Sequence, residues 1–249
     1  MSNTTLAFIF DLDGTLVETE ELKALSYARA AAELRPGLGE AEVVDAFKDF
    51  VGRSRREVAT GLLERFGLEG AARSRTAEFG VKTAWQAYVR VRLRIYEALL
   101  SDRDLILAHR YPHNIALLQD LRGAGYRTGL ATMSHTEQAR RVLSILGLTD
   151  AFDVIATRDD VEHGKPDPEI DLLVARELGA KPEDCLVIED SPAGVAAALA
   201  AGMDVIAVTT DLTRQKFRET NLLERTRVVD DPRRLPAVVR ARIEEHRRG

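Results

Sequence analysis

A rhythm of short apolar runs constrains this chain more than any other feature. Runs at 6–10 (LAFIF), 126–132 (YRTGLAT), 152–157 (FDVIAT), 185–189 (CLVIE) and 204–208 (DVIAV) read as strands. Helical patterns at 112–124, 135–146, 168–178 and 192–201 alternate with the later runs. Strands rich in Val and Ile that alternate with helices predict an α/β core, a parallel sheet covered on both faces. Asp167-Pro168 and Ser191-Pro192 each set a capping residue before a proline at the first helical position. Gly147, Gly179 and Gly202 stand where those helices should stop.

The interval between the first two strands breaks the rhythm. From about Val17 to about Asp104 no convincing strand occurs, and helical segments at 20–34 and 73–100 are the clearest. Ser54-Arg55-Arg56-Glu57 has the form of a capping box that opens a further helix to Phe66. A parallel crossover needs little more than about a dozen residues, so the interval reads as an inserted helical subdomain, the all-helical cap domain of the family resemblance given below. The expected division is a core of residues 1–16 and 105–249 and a cap of residues 17–104. The final VVRARIEEHRRG reads as a solvated, frayed helix.

Composition narrows the function. Hydrophobic residues make up 45% and charged residues 30%, which suits a soluble chain with a sizeable core. A net charge of −5 gives no general reason to expect a nucleic-acid partner. The single cysteine, Cys185, excludes an intramolecular disulfide. The start, MSNTTLAFIFDLD, lacks a signal-peptide pattern, and no apolar stretch approaches the roughly 20 residues that span a bilayer. The expectation is a cytoplasmic monomer or small homo-oligomer with no membrane partner.

Asp11 and Asp13 close the first strand, at the carboxyl edge where open α/β sheets bind ligands. Two residues apart in extended chain, both can face one pocket. Other strand ends share that edge: Thr132 after the second, Glu189-Asp190 at the end of the fourth, and Lys165 in EHGKPDP after the third. Each has an ordinary alternative, a helix cap for Thr132 and for the acidic pair, a solvated charge for Lys165. Together they suit phosphoryl transfer. Oxygen ligands without Cys/His clustering point to a hard cation, Mg²⁺. His109, His113, His135, His163 and His246 form no zinc-type spacing. A carboxylate and a phosphate at about 4 Å repel by roughly 4 kcal/mol per unit pair at an effective dielectric near 20; a metal and a lysine reverse that sign.

DLDGT, the strand-end Thr132, GKPDP and VIEDSPAG stand in the order and context of the haloacid dehalogenase-like (HAD) superfamily. The chain resembles most the subgroup with a helical cap after the first motif, which holds phosphatases and β-phosphoglucomutase. The resemblance spans nearly the whole chain and implies a Rossmann-like core. It implies Asp11 as the nucleophile that forms an aspartyl-phosphate, and Asp13 as the acid, then base. Thr132 would bond the transferring phosphoryl group, and Lys165 would neutralise it and hold Asp11. Mg²⁺ would be held by Asp11, the Asp13 backbone carbonyl and Asp190, with Glu189 direct or through water. Asp13 weighs against a dehalogenase. Backbone amides around Leu12, Gly14 and Met133 would cradle the phosphate.

Substrate choice is expected in the cap. Glu20, Lys23 and VGRSRRE, with Arg53, are the segments expected to face the site, against the alternative of exposed helix charges. Arg90, Arg92 and Arg94, two apart on a helix, read as surface residues. The chain departs from the mutase branch, which usually has a histidine at Lys23. An Asp is more usual at Glu18, and a Pro-Gly pair at Pro112-His113. The leading expectation is a Mg²⁺-dependent phosphatase of a small phosphorylated metabolite, a sugar or organic-acid phosphate. A phosphomutase, a phospho-receiver-like signalling module and an inactive binding protein are the alternatives.

Overall fold

The computed structural model describes residues 6–50 and 53–248. Val51 and Gly52 of the VGRSRRE segment lie outside them, as do the first five residues and Gly249. The strands are β1 (Ala7–Phe10), β2 (Arg127–Ala131), β3 (Val154–Ala156), β4 (Cys185–Glu189), β5 (Asp204–Val208) and β6 (Val228–Val229). The helices are α1 (Thr19–Leu34), α2 (Glu40–Phe47), α3 (Arg55–Arg65), α4 (Glu69–Ser74), α5 (Ala84–Ser101) and α6 (Arg103–Ala108). They continue with α7 (Pro112–Gly123), α8 (Thr136–Leu146), α9 (Glu169–Leu178), α10 (Pro192–Ala200), α11 (Arg214–Glu219) and α12 (Leu235–Arg248). The chain separates into two compact units, one running to Glu18 and resuming at Ile106, the other Thr19–Leu105.

In the first unit the strands form one parallel sheet in the order β3-β2-β1-β4-β5-β6. Each residue of β1 is sealed from solvent because β2 and β4 flank it and both faces are covered. Alternation sorts the side chains. Ala7 and Ile9 join Val187, Val205, Ile170 and Val174 in one apolar layer. Phe8 and Phe10 point the other way and meet Tyr126 and Phe152 edge-on, with centroids 5.1 and 6.4 Å apart. Strand β6 escaped the sequence reading. It is two residues long, too short to show a period, and is recruited by pairing with Ala207 and Val208.

The boundary signals act locally. Ser191 caps α10 by accepting from the Gly194 amide at 3.1 Å. The Asp167 carboxylate accepts from the Glu169 amide at 3.0 Å, and α9 opens one residue later than Pro168. Gly147 and Gly179 close α8 and α9 in the left-handed conformation, at φ 71° and 65°, where a Cβ would add strain. Helix α12 is not wholly solvated: Leu235, Val239 and Ile243 are buried.

The second unit is helical throughout its described residues apart from turns. Ser54 and Glu57 form the expected capping box at α3. The 73–100 segment is not one helix. It breaks after α4 through a turn with Gly80 at φ 61°, and α5 restarts where Gln86 accepts from the Thr83 amide at 3.1 Å. Its core holds Tyr27, whose ring lies tilted against those of Phe47 and Tyr88 with centroids 5.7 Å away in each case, and the Tyr88 hydroxyl donates to the Tyr27 carbonyl at 2.8 Å. Arg92 is not a surface residue: it is 5% exposed, while Arg94 does reach solvent. The α5 face that carries Arg92 also carries Tyr88 and Tyr96, i−4 and i+4, and packs inward. No helix among the described residues is long and apolar enough to cross a membrane.

Candidate active site

The carboxyl edge of the sheet gathers the residues expected there. Asp11 follows β1 directly, and its amide pairs with the Ile188 carbonyl at 3.0 Å, so the ladder continues one residue beyond the strand. The chain then turns sharply. The Leu12 carbonyl accepts from Thr15, Leu16 and Val17, and Gly14 sits at φ 82°. Glycine is required here twice over, by its φ and by crowding: a Cβ at Gly14 would lie 2.2 Å from Asp190 Oδ2. The Gly14 amide donates to the Val17 carbonyl at 2.8 Å, so it is committed within the turn and not to a phosphate cradle.

Lys165 is the hub. Its side chain is 5% exposed, and Nζ donates to Asp11 Oδ1 at 3.0 Å, Glu189 Oε1 at 3.1 Å and the Ala131 carbonyl at 2.9 Å. Those acceptors use all the donors an ammonium has. Burial works against the lysine charge, but Asp11 and Glu189 outweigh it and hold the ammonium charged far above neutral pH. Burial also pushes the Asp11 carboxyl up to about 8, against the pull of Lys165 and with a push from Glu189 and Asp13. One lysine is therefore not enough charge for this cluster at neutral pH.

Asp11, Glu189 and Asp190 bring carboxylate oxygens within 4.8 Å of one another, all buried. This donor set fits a hard divalent cation. Glu189 is the least available of the set. Its Oε1 takes Lys165, and its Oε2 takes the Ser191 amide at 2.7 Å. Gly194 permits this placement, since a Cβ there would lie 1.8 Å from Glu189 Oε1. The Asp13 carboxylate stands outside that set. Its Oδ2 accepts from Ser134 Oγ at 2.6 Å and from Thr132 Oγ1 at 3.4 Å.

Thr132 is buried just beyond β2, and its Oγ1 also accepts from the Ser134 amide at 3.1 Å. Ser134 was missed from sequence because nothing separates it from a helix-capping serine before α8. Met133 is half-buried and its side chain packs on the apolar layer. The buried Asn114 on α7 donates to the Thr15 carbonyl at 2.7 Å and braces the loop from the other side. At the connections to the second unit, the Tyr111 hydroxyl donates to the Glu18 carboxylate, and the Glu18 amide pairs with the His109 carbonyl at 2.8 Å. His135 bonds Asp159 at 2.7 Å, and His113 is exposed.

Glu20, Lys23 and Arg53 belong to the second unit. Lys23 is paired with Glu20 at 2.5 Å on α1, and the exposed Arg53 guanidinium lies 5.5 Å from the Phe50 ring. The same unit holds a cation of a different kind. Arg92 lies over the rings of Tyr96 and Tyr27, at 4.3 and 5.0 Å, and its buried Nε has no hydrogen-bond partner among the described residues. Arg55, Glu20 and Lys23 are its electrostatic neighbours or those of Tyr27.

The model of the haloacid dehalogenase-like hydrolase family matches residues 5–202. Hexitol phosphatase A of Escherichia coli (strain K12) is 35% identical over 216 residues, 87% of this chain and 88% of that protein. A phosphorylated carbohydrates phosphatase of Thermotoga maritima is 30% identical over 200 residues, 80% and 83% of the two chains. Among solved structures, a β-phosphoglucomutase from Clostridium difficile is similar with a TM-score of 0.67 at 26% identity, covering 98% of this chain and 99% of that one. With a Rossmann-like parallel sheet, an acidic edge and a family match over most of its length, this chain belongs to the haloacid dehalogenase-like hydrolases.

Proposed function

We propose that this protein is a Mg²⁺-dependent phosphatase of a small phosphorylated sugar or sugar alcohol. The observation that carries the reading is the buried Asp11–Lys165–Glu189 cluster beside Asp190, which holds more negative charge than its lysine offsets. Asp11 and Asp190, with the Asp13 backbone carbonyl and with Glu189 direct or through water, would hold Mg²⁺, which would supply the positive charge that favours ionised Asp11 and attracts the substrate dianion.

An Asp11 carboxylate oxygen attacks phosphorus as the bond to the leaving oxygen breaks. Asp13 gives that oxygen a proton; then its carboxylate takes a proton from water as the water displaces phosphate from Asp11. The hydroxyls of Ser134 and Thr132, both directed at Asp13 Oδ2, orient its carboxyl group. To bond the phosphoryl oxygens, the Thr132 hydroxyl turns from its 3.4 Å contact with Asp13 and Lys165 releases one of its three present acceptors, and the Met133 amide assists.

In the helical unit, Lys23, Glu20 and Arg53 are the proposed substrate-selecting side chains, joined by Arg92. A buried guanidinium stacked on tyrosines, with no carboxylate bonded to it among the described residues, suits an anionic or hydroxyl-rich ligand. The 35% identical hexitol phosphatase favours a polyol phosphate as the first substrate class to try.

The test is a panel of hexitol, sugar and organic-acid phosphates scored for both phosphate release and isomer formation. Phosphate release that needs Mg²⁺ and falls roughly a thousandfold or more in Asp11→Asn is expected. Isomer formation without net phosphate release would instead favour the mutase reading that the similar β-phosphoglucomutase structure raises.

A further inference from the structure

One carboxyl in the α/β unit has no place in the chemistry above. Asp171, in the first turn of α9, is 0% exposed. Both carboxylate oxygens are sealed from solvent, and neither has a hydrogen-bond partner among the described residues. Its chain neighbours Ile170 and Val174 belong to the apolar layer of the sheet. An aliphatic side chain would satisfy that position, and a buried carboxyl with nothing bonded to it is costly. Orphaned buried polar groups concentrate where function overrides local stability.

The surroundings show what this carboxyl acts on. Its electrostatic neighbours are Lys165 and Glu189, two members of the reaction cluster, and the Cys185 thiol of β4. It shares no hydrogen bond with any of them, so in its ionised form it acts through space, as a charge in a low-dielectric wall. A negative charge there raises the pull on a cation and opposes an incoming phosphate.

We propose that Asp171 is a positioning residue that acts through Lys165 and Glu189, deepening the negative potential of the acidic cluster so that it holds a divalent cation more tightly and a phosphate more loosely. The consequence for turnover is easier release of product phosphate while the cation stays bound. This inference rests on the cation reading of the Asp11–Glu189–Asp190 cluster, and binding measurements separate the two.

Calorimetric titration of the full chain with MgCl₂ at pH 8, then of the Mg²⁺-saturated protein with inorganic phosphate, tests it. In Asp171→Asn the Mg²⁺ dissociation constant should rise on the order of tenfold, and the phosphate dissociation constant should fall by several-fold. A loosened fold would weaken both ligands, so opposite signs mark an electrostatic role. Asp171→Leu, which suits the apolar wall, is read in the same way and serves if the asparagine variant does not fold. Unchanged affinities in either folded variant, or both ligands weakened together, overturn the role of Asp171 alone. A wild-type protein that binds no Mg²⁺ overturns this inference and the cation reading together.

Discussion

The two units bury charge in opposite ways. In the α/β unit, a group of carboxylates surrounds one lysine, and the excess is negative. In the helical unit, Arg92 is buried against two tyrosine rings without a carboxylate bonded to it among the described residues, and the local excess is positive. Neither would survive in a domain selected for stability alone, because an uncompensated buried charge costs several kcal/mol. The first arrangement calls for a cation and a phosphoryl group. The second is the basis on which Arg92 is proposed to meet an electron-rich part of a substrate. The contrast underlies the proposal that the α/β unit sets the reaction type and the helical unit the substrate.

The comparison breaks most sharply at Lys165. In Lys165→Met, Asp11 and Glu189 lose the cation they share, and kcat/KM toward p-nitrophenyl phosphate should fall roughly 10²- to 10³-fold. Urea unfolding without added metal should show a loss of about 3–5 kcal/mol, as for other broken buried pairs. A variant with near-normal activity would shift the whole charge balance onto the metal.

A smaller and more selective effect is expected in the helical unit. Arg92→Met should lower kcat/KM on a hexitol phosphate by roughly tenfold to a hundredfold, about 1.4–2.7 kcal/mol. Activity on p-nitrophenyl phosphate, which offers no polyol, should change by less than about threefold. Equal losses on both substrates would take substrate selection away from Arg92.

Stability against pH gives the finest probe. Burial, partly offset by Lys165 and reinforced by Glu189, raises the Asp171 carboxyl to about 6 from 3.8. A carboxyl whose folded pKa lies above its unfolded one is easiest to keep folded when protonated. Its cost is absent below about pH 4 and grows as the pH rises to about 6. The stability gained by Asp171→Leu over the natural protein should therefore increase by about 3 kcal/mol between those limits and then level off. Metal-free urea titrations at intervals from pH 4 to pH 8 measure it. A gap independent of pH would mean that Asp171 stays neutral throughout.

Legibility in the sequence followed the range of the physics. The five apolar runs, the Ser191 and Ser54 caps and the helix-ending Gly147 and Gly179 are set by neighbours a few residues away, and each stands where its spacing placed it. The helix boundary inside 73–100 was lost because Gly80 and the Thr83–Gln86 cap compete with a strong apolar period on either side. Ser134 and Asn114 were unreadable for a different reason. A serine before a helix and an asparagine within one have everyday local uses, and only the return of the Asp11–Thr15 loop supplies their partners. Arg90, Arg92 and Arg94 read as surface residues because a spacing of two keeps them off one shared face; helix rotation turns Arg92 alone toward the tyrosines.

The sequence by itself determined the class of chemistry, because acidic strand ends, a hydroxyl and a lysine carry their reactivity wherever they sit, and the parallel sheet brings strand ends to one edge. Only the tertiary structure decided how the charges balance. Lys165 spends every proton on Asp11, Glu189 and Ala131, Glu189 is already engaged on both oxygens, and Asp171 is sealed with none of its own. Charge balance depends on distance and burial between residues far apart in the chain, from Asp11 to Lys165 and Glu189, and no local pattern encodes either.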